Sequence, residues 1–136
     1  MLLEFDADQR LWQKTVRDAV AKQCPPALVR SVAEDGVDPS PLWKSYVDQG
    51  WTELNDPASA VELGIVLEEL GHATDPTPFL ATMSQFAPLV GDQFDPHESG
   101  TAVYGGWRHT GTPRAGCWTA PHGTCSTATA SIAWRW

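Results

Sequence analysis

Positive charge is scarce in this sequence. Nine Lys and Arg stand against 17 Asp and Glu in 136 residues, giving a net charge of -8 and a pI near 4.7. A surface for nucleic acid or anionic lipid needs a positive footprint, so this balance argues against both. Long apolar runs are missing too: nothing approaches the roughly 20 residues that cross a bilayer. The start MLLEFDADQR has no basic region leading into an apolar stretch, so no secretory signal is read there. Cysteine is sparse. Cys24, Cys117 and Cys125 are odd in number and unevenly placed, which excludes a disulfide framework of the secreted kind. Together these absences predict a cytoplasmic chain with room for one domain, or one domain plus a fragment.

A second set of absences begins abruptly at Gly105-Gly106. Residues 107–136 hold no Asp, Glu or Lys, and no Leu, Val, Phe, Met or Tyr. They carry three of the nine basic residues and four of the seven Trp, and Ile132 is their only aliphatic beyond Ala. The preceding 106 residues keep the other six basic residues and all 17 acids, a net charge of -11. Such a tail has little aliphatic surface to bury against the entropy of ordering its backbone, and it is expected to be disordered.

The first part is patterned for helices. Asp6 with Gln9 three residues on forms a capping-box-like start. Leu11, Trp12, Val16, Ala19 and Val20 then recur at helical spacing until Pro25-Pro26. A short second helix fits Ala27 to Ala33, closed by Asp35-Gly36. Ser40 as cap, Pro41 at the first helical position and Gly50 as stop bound a third, with Leu42, Trp43, Tyr46 and Val47 as its buried face. After the polar loop Thr52–Pro57, the fourth runs from Ala58 to Leu70. Its stripe is Leu63, Val66, Leu67 and Leu70, widened by Val61 and Ile65, with Gly71 as punctuation. Pro76 and Pro78 open a fifth through Phe79, Leu80, Met83, Phe86 and Leu89, ending at Gly91. The loop Asp92–Gly100 then enters a strand at Thr101–Tyr104. The predicted fold is an all-α bundle of about five helices over 1–91, a linker with a strand stub over 92–106, and the loose tail 107–136.

Three phrases, in order, carry a family resemblance: DADQRLWQKTVRDAVAKQC, LWKSYVDQGWTELNDP and AVELGIVLEELGHATDPTPFLAT. Over about residues 4–104 the chain resembles the N-terminal helical domain of acyl-CoA dehydrogenases, most specifically at ELGIVLEELGHA, Glu62 to Ala73. The resemblance implies a parent enzyme that desaturates the Cα–Cβ bond of an acyl-CoA, a glutamate base taking the α-proton and FAD the β-hydride. It implies assembly with like or unlike dehydrogenase subunits, and a segment matching Phe79–Phe86 beside the acyl chain, so that Phe79, Thr82 and Met83 would wall that pocket. In the family a flavin-contacting β-domain and a second helical domain follow. The flavin- and CoA-binding motifs and the glutamate lie mostly beyond the counterpart of residue 106. The chain alone is therefore expected to be inactive and to retain no FAD.

The tail decodes differently when its codons are shifted. Taking the last base of each codon with the first two of the next, Gly116-Cys117-Trp118-Thr119 must give Val, Leu or Met, then Leu, then Asp, for any codon choice. Gly, Arg, Ser or Cys follows. Eight positions on, Thr124-Cys125-Ser126-Thr127 permits the same pattern with Leu-Asp-Gly. A reading V-L-D-G-x-A-x-x-V-L-D-G resembles the hairpin that opens the family's β-domain. The tail thus reads as out of frame after Gly106.

Other chemistry-bearing residues have plainer readings. His109, Cys117, His122 and Cys125 are zinc-ligand types, but they lack a CxxC pair or a knuckle spacing, and the shifted frame accounts for them. Glu68 and Glu69, adjacent on a helix, point about 100° apart and cannot converge on one atom. They are expected on a solvated face with one buried hydrogen bond. Asp6 and Asp8 favour a helix start, and His72 a helix end. Cys24 before Pro25 reads as a small apolar helix-end residue, and Gly105-Gly106 lacks the Gly spacing, Lys and Ser/Thr of a phosphate loop. No catalytic, cofactor or metal site is expected within the chain. Beside the dehydrogenase fragment stand two alternatives: a helical module that docks on an intact dehydrogenase subunit, and a small zinc-binding protein.

Overall fold

The computed structural model describes residues 4–101 in full, and the backbone of residues 102, 108–112, 115–119, 125–128 and 133–135. The chain divides into two compact units, Met1–Thr77 and Pro78–Trp136.

In the first unit, α1 (Ala7–Gln23) begins at a complete capping box. The Gln9 N–H donates to Asp6 Oδ1 at 2.8 Å, and the Asp6 N–H donates to Gln9 Oε1 at 3.1 Å. Helix α2 (Pro26–Asp35) starts with proline at its first position, where the missing N–H leaves no bond unmade, and stops at Gly36 with φ +68°. Helix α3 (Ser40–Asp48) follows. Its entry is tied by Asp38, whose Oδ1 accepts from both the Ser40 N–H and the Ser40 hydroxyl, and Gly50 ends it at φ +74°. A 3₁₀ turn, Trp51–Glu53, stacks Trp51 on Tyr46 with ring centroids 5.0 Å apart. After a second 3₁₀ turn, Pro57–Ser59, comes α4 (Ala60–Ala73).

Helix α1 packs on α4. The Trp12 indole N–H donates to the Glu62 carbonyl at 3.2 Å, and the Arg17 guanidinium grips the Glu69 carboxylate. Both contacts advance along the two sequences together, so the helices run in the same direction. The buried face of α4 is Ile65, Val66, Glu69 and Leu70, with Leu63 and Leu67 half-buried and Val61 exposed. Against the expected stripe this face is rotated, because an acidic residue with a guanidinium partner occupies one of its buried positions. Likewise Val16 and Val20 are buried on α1 while Leu11 is 65 % exposed.

Helix α4 outruns its expected end. Gly71 stays helical, and the chain turns at Thr74, whose φ of +57° is left-handed. The Asp75 N–H reaches the Leu70 carbonyl and the Thr74 N–H the Gly71 carbonyl, the paired bonds of a Schellman end. Glycine ordinarily occupies that position, and a β-branched residue there is strained.

The second unit opens with α5 (Phe79–Ala81), continues through a π-helical stretch, Thr82–Phe86, and closes with α6 (Ala87–Val90). Together they form the expected fifth helix. Pro88 explains the wide turn. It has no N–H, and its ring would strike the carbonyl four residues back in a regular α-helix. The Ala87 N–H instead reaches five residues back, to the Thr82 carbonyl. Phe79, Met83, Phe86 and Ala87 are buried, and Phe86 meets Phe94 edge-on with centroids 6.0 Å apart. The Thr82 hydroxyl donates to the Gly100 carbonyl and accepts from the Gly100 N–H, both at 3.1 Å.

That clasp marks the start of β1 (Gly100–Ala102), the expected strand stub, of which residues 103 and 104 lie outside the described residues. Part of the tail has described backbone. Strands β2 (Arg108–Thr112), β3 (Ala115–Thr119) and β4 (Cys125–Ala128) pair antiparallel in sequence order, and β5 (Ala133–Arg135) pairs antiparallel with β1. Neighbouring antiparallel segments satisfy each other's main-chain groups without a large apolar core, and threonine supports the extended conformation.

Replacing Thr74 with glycine relieves the left-handed strain at an exposed position. Thr74→Gly is expected to raise stability by about 1 kcal/mol, net of glycine's greater unfolded-state entropy. The urea midpoint rises with an unchanged slope if this is correct, and an unchanged or lower midpoint contradicts it.

Candidate functional site

Buried polar chemistry in the first unit gathers where the end of α1, the middle of α3 and the turn after α4 meet. Spacing puts Leu42 and Tyr46 on one buried face of α3, and Tyr46 is fully buried. A buried phenol needs a partner, and the Tyr46 hydroxyl donates to Asp75 Oδ1 at 3.2 Å. Asp75 precedes Pro76, and its carboxylate folds onto the following turn. The Thr77 N–H donates to Oδ1 at 3.3 Å and the Thr77 hydroxyl to Oδ2. The Cys24 thiol at the end of α1 neighbours the Tyr46 hydroxyl. Cys24, Tyr46 and Asp75 thus form one polar cluster drawn from three segments.

Burial dominates the electrostatics of this cluster. It pushes the Asp75 carboxyl above its ordinary pKa, against the pull of the bonds from Thr77 and Tyr46. Burial, then the charge of Asp75, pushes the Cys24 thiol up as well, and the Tyr46 phenol is driven up for the same two reasons. Cys24 is thus a protonated, 3 % exposed helix-end residue, as its place before Pro25 implied.

The second charged feature is Arg17 with Glu69. Arg17 Nε lies 3.0 Å from Glu69 Oε2, and Nη2 lies 2.7 Å from Oε1, a two-pronged pair whose carboxylate is 4 % exposed. Glu68 is exposed and faces His72 at 3.8 Å, so the adjacent glutamates diverge as the helix geometry required. Asp6 caps α1 and Asp8 lies in its first turn, while His72 lies in the last turn of α4.

Phe79, Thr82 and Met83 are brought together on one short segment, but with 0 %, 0 % and 1 % of their surface exposed. In this chain they are interior residues, and the large apolar side chains that the fifth helical run exposes are Leu80 and Leu89. The zinc-type residues fall in the tail. The backbone register pairs His109 with Trp118, Cys117 with Thr110 and Thr127, and Cys125 with Thr119. Their side chains, all of His122, and Gly105-Gly106 lie outside the described residues. Among the described residues, no group of three or more His, Cys, Asp or Glu is placed to hold a metal ion, and no helix is long and apolar enough to cross a membrane.

Sequence reading missed Asp75, Tyr46 as a polar group, and Arg17. Asp75-Pro76-Thr77 did carry a signal, an Asp-Pro step with a hydroxyl two residues on. Arg17 carried none, since pairing across 52 residues depends on how α1 packs on α4.

The Arg17 hydrogen bond, followed by its charge, holds the Glu69 carboxyl below its ordinary pKa despite burial. A lowered folded-state value means stability that is present above the unfolded value and lost as pH falls through the folded one. Glu69→Gln is therefore expected to lower stability at neutral pH and to flatten the acid limb of the stability profile. Chemical denaturation across the acidic range checks this, and a loss that is equal at every pH contradicts it.

Comparison with protein-family models, curated proteins and solved structures finds no match to this chain, so its function is read from its own residues.

Proposed function

We propose that residues 4–104 are the N-terminal helical domain of an FAD-dependent acyl-CoA dehydrogenase, whose parent reaction desaturates an acyl-CoA to an enoyl-CoA. The observation that carries this reading is the phrase Glu62 to Ala73. It lies wholly on α4, the helix that packs along α1, and the Phe79–Val90 helical run and a strand at Gly100 follow it in the family's order. The residues that would wall the acyl pocket, Phe79, Thr82 and Met83, are interior in this chain. Apart from the Thr82 hydroxyl, already committed to Gly100, they are apolar and suit an acyl chain rather than the polar edge of a flavin. FAD, when bound to such an enzyme, accepts the β-hydride. None of these residues is assigned to hold it, and this chain alone neither binds FAD nor oxidises acyl-CoA.

A second reading keeps the same parent and makes the chain a docking module for an intact dehydrogenase subunit. Leu80 at 63 % and Leu89 at 51 % exposure on the fifth helical run, with Val61 at 45 % on α4, favour it. Purification of the chain with and without a full-length dehydrogenase subunit tests both readings. The expected product is colourless and takes up no added FAD, and co-elution with the subunit selects the docking module. Bound flavin absorbance in the isolated chain, or acyl-CoA oxidation by it, contradicts the proposal.

A further inference from the structure

The step Asp-Pro occurs four times in the chain, at 38–39, 56–57, 75–76 and 95–96, and no part of the proposed dehydrogenase role uses it. At all four, the N–H two residues after the aspartate donates to its Oδ1. The distances are 2.9 Å from Ser40, 2.7 Å from Ala58, 3.3 Å from Thr77 and 2.9 Å from His97. Each carboxyl is thereby folded over the peptide bond that follows it. The third residue after the aspartate divides the four into two pairs. It is Pro41 after Asp38 and Pro78 after Asp75, and neither has an N–H to give. It is Ser59 after Asp56 and Glu98 after Asp95, and each of these N–H groups donates at 2.9 Å to the aspartate's own main-chain carbonyl. Hydroxyls make the same division. Ser40 adds a second bond to Asp38 Oδ1 and Thr77 occupies Asp75 Oδ2, whereas Ala58 and His97 carry no hydroxyl. Asp56 and Asp95 are both exposed to water.

We propose that Asp56–Pro57 and Asp95–Pro96 are self-scissile peptide bonds, at which the aspartate cuts the chain on its own C-terminal side, and that the folded chain spares Asp38–Pro39 and Asp75–Pro76. In the first step Oδ2 of the carboxyl attacks the main-chain carbonyl carbon of the same residue. A C–O bond forms, the C–N bond to proline breaks, and the carboxyl proton passes to the proline nitrogen, which leaves as a secondary amine. The other product is a five-membered cyclic anhydride. Water then adds to the anhydride and one of its C–O bonds breaks. The aspartate keeps its side-chain carboxyl and gains a new chain-terminal one. No atom is oxidised or reduced, and water is the only co-reactant. Proline has no N–H, so its nitrogen cannot close on the side-chain carboxyl instead.

The third-residue N–H decides which bonds are cut. Attack puts negative charge on the main-chain oxygen, and a donor already aimed at that oxygen stabilises the charge as it develops. The bond from the second-residue N–H holds the carboxyl beside the carbon it attacks, so the reacting groups are oriented beforehand. At Asp38 and Asp75 a proline nitrogen stands where that donor would be, and the Ser40 and Thr77 hydroxyls draw on the carboxyl that must attack. The proline nitrogen must take up a proton to leave, so scission is favoured in mild acid. A cut at Asp56–Pro57 divides the chain between the turn Trp51–Glu53 and α4, and one at Asp95–Pro96 divides it between the fifth helical run and β1. The inference rests on these four turns and does not depend on the dehydrogenase reading.

Mass spectrometry of the full chain, held at the lowest pH that leaves its far-ultraviolet helical signal unchanged, reads each bond by its own fragments. Fragments ending at Asp56 and Asp95 are expected to form about tenfold faster than those ending at Asp38 and Asp75, the effect of one added donor at an exposed turn. In guanidinium chloride at the same pH the turns are lost, and the four rates are expected to converge. Pro41→Ala supplies an N–H at the third position after Asp38. It is expected to speed scission at Asp38–Pro39 by about tenfold and to leave the other three rates alone. Equal rates at the four bonds of the folded chain overturn the proposal, as does the absence of scission. A ranking that guanidinium leaves unchanged, or a folded Pro41→Ala chain that is cut no faster after Asp38, overturns it too. If Pro41→Ala does not fold, the wild-type comparison with and without denaturant decides alone.

Discussion

The first unit depends on the parallel packing of α1 against α4. These helices are separated in sequence by α2, α3 and two 3₁₀ turns, so their contact closes a long loop, and closing it has to be offset by what they bury. Val16, Val20, Ile65, Val66 and Leu70 supply the apolar surface. The Trp12 bond to the Glu62 carbonyl and the two-pronged Arg17–Glu69 pair fix the register along the seam. An apolar contact alone tolerates sliding by a turn. A guanidinium that must meet one buried carboxylate does not, which is a reason for a glutamate to occupy a core-facing position on α4.

Register along that seam has consequences at its far end. With α4 fixed on α1, its last residues arrive beside Cys24 and α3, and the chain must turn there. The turn is made with threonine in a conformation suited to glycine, and the Schellman bonds together with Asp75 hold it. A left-handed threonine and a half-buried carboxyl bonded to hydroxyls thus sit side by side at the place where the first unit ends. The second unit begins with its own local constraint, Pro88, which widens the preceding turn to a π-helix.

Much of this architecture was legible in the residues. Asp6 with Gln9 announced the start of α1, Pro25-Pro26 its end, Gly36 and Gly50 the ends of α2 and α3, and Phe79, Met83 and Phe86 the buried face of the fifth helical run. Local chemistry decides such features, and local chemistry is written in sequence. Gly71 misled because glycine is a permitted helix residue as well as a preferred stop; the actual stop at Thr74 is imposed by Pro76 and by the Asp75 network. Leu11 and Val61 misled because periodicity finds an apolar face without saying which part of it is covered. The Cys24–Tyr46–Asp75 cluster was illegible as a cluster, since its members come from three segments and meet only once α1, α3 and α4 are placed. Strands β2, β3 and β4 pair through main-chain bonds between neighbours, which leave no apolar periodicity to read.

The abrupt change of composition at Gly105-Gly106 is accounted for by one proposal, that the residues after Gly106 are read out of the frame of the preceding domain. Sequencing the coding DNA across the codons for Gly105 to Trp136, and onward, tests that claim most directly. The account predicts that a single-base shift after Gly106 opens a continuous frame containing two Leu-Asp-Gly phrases eight residues apart, and leading on to a glutamate-bearing helical domain. A shifted frame that stops within the tail, or continues without those phrases, would contradict it.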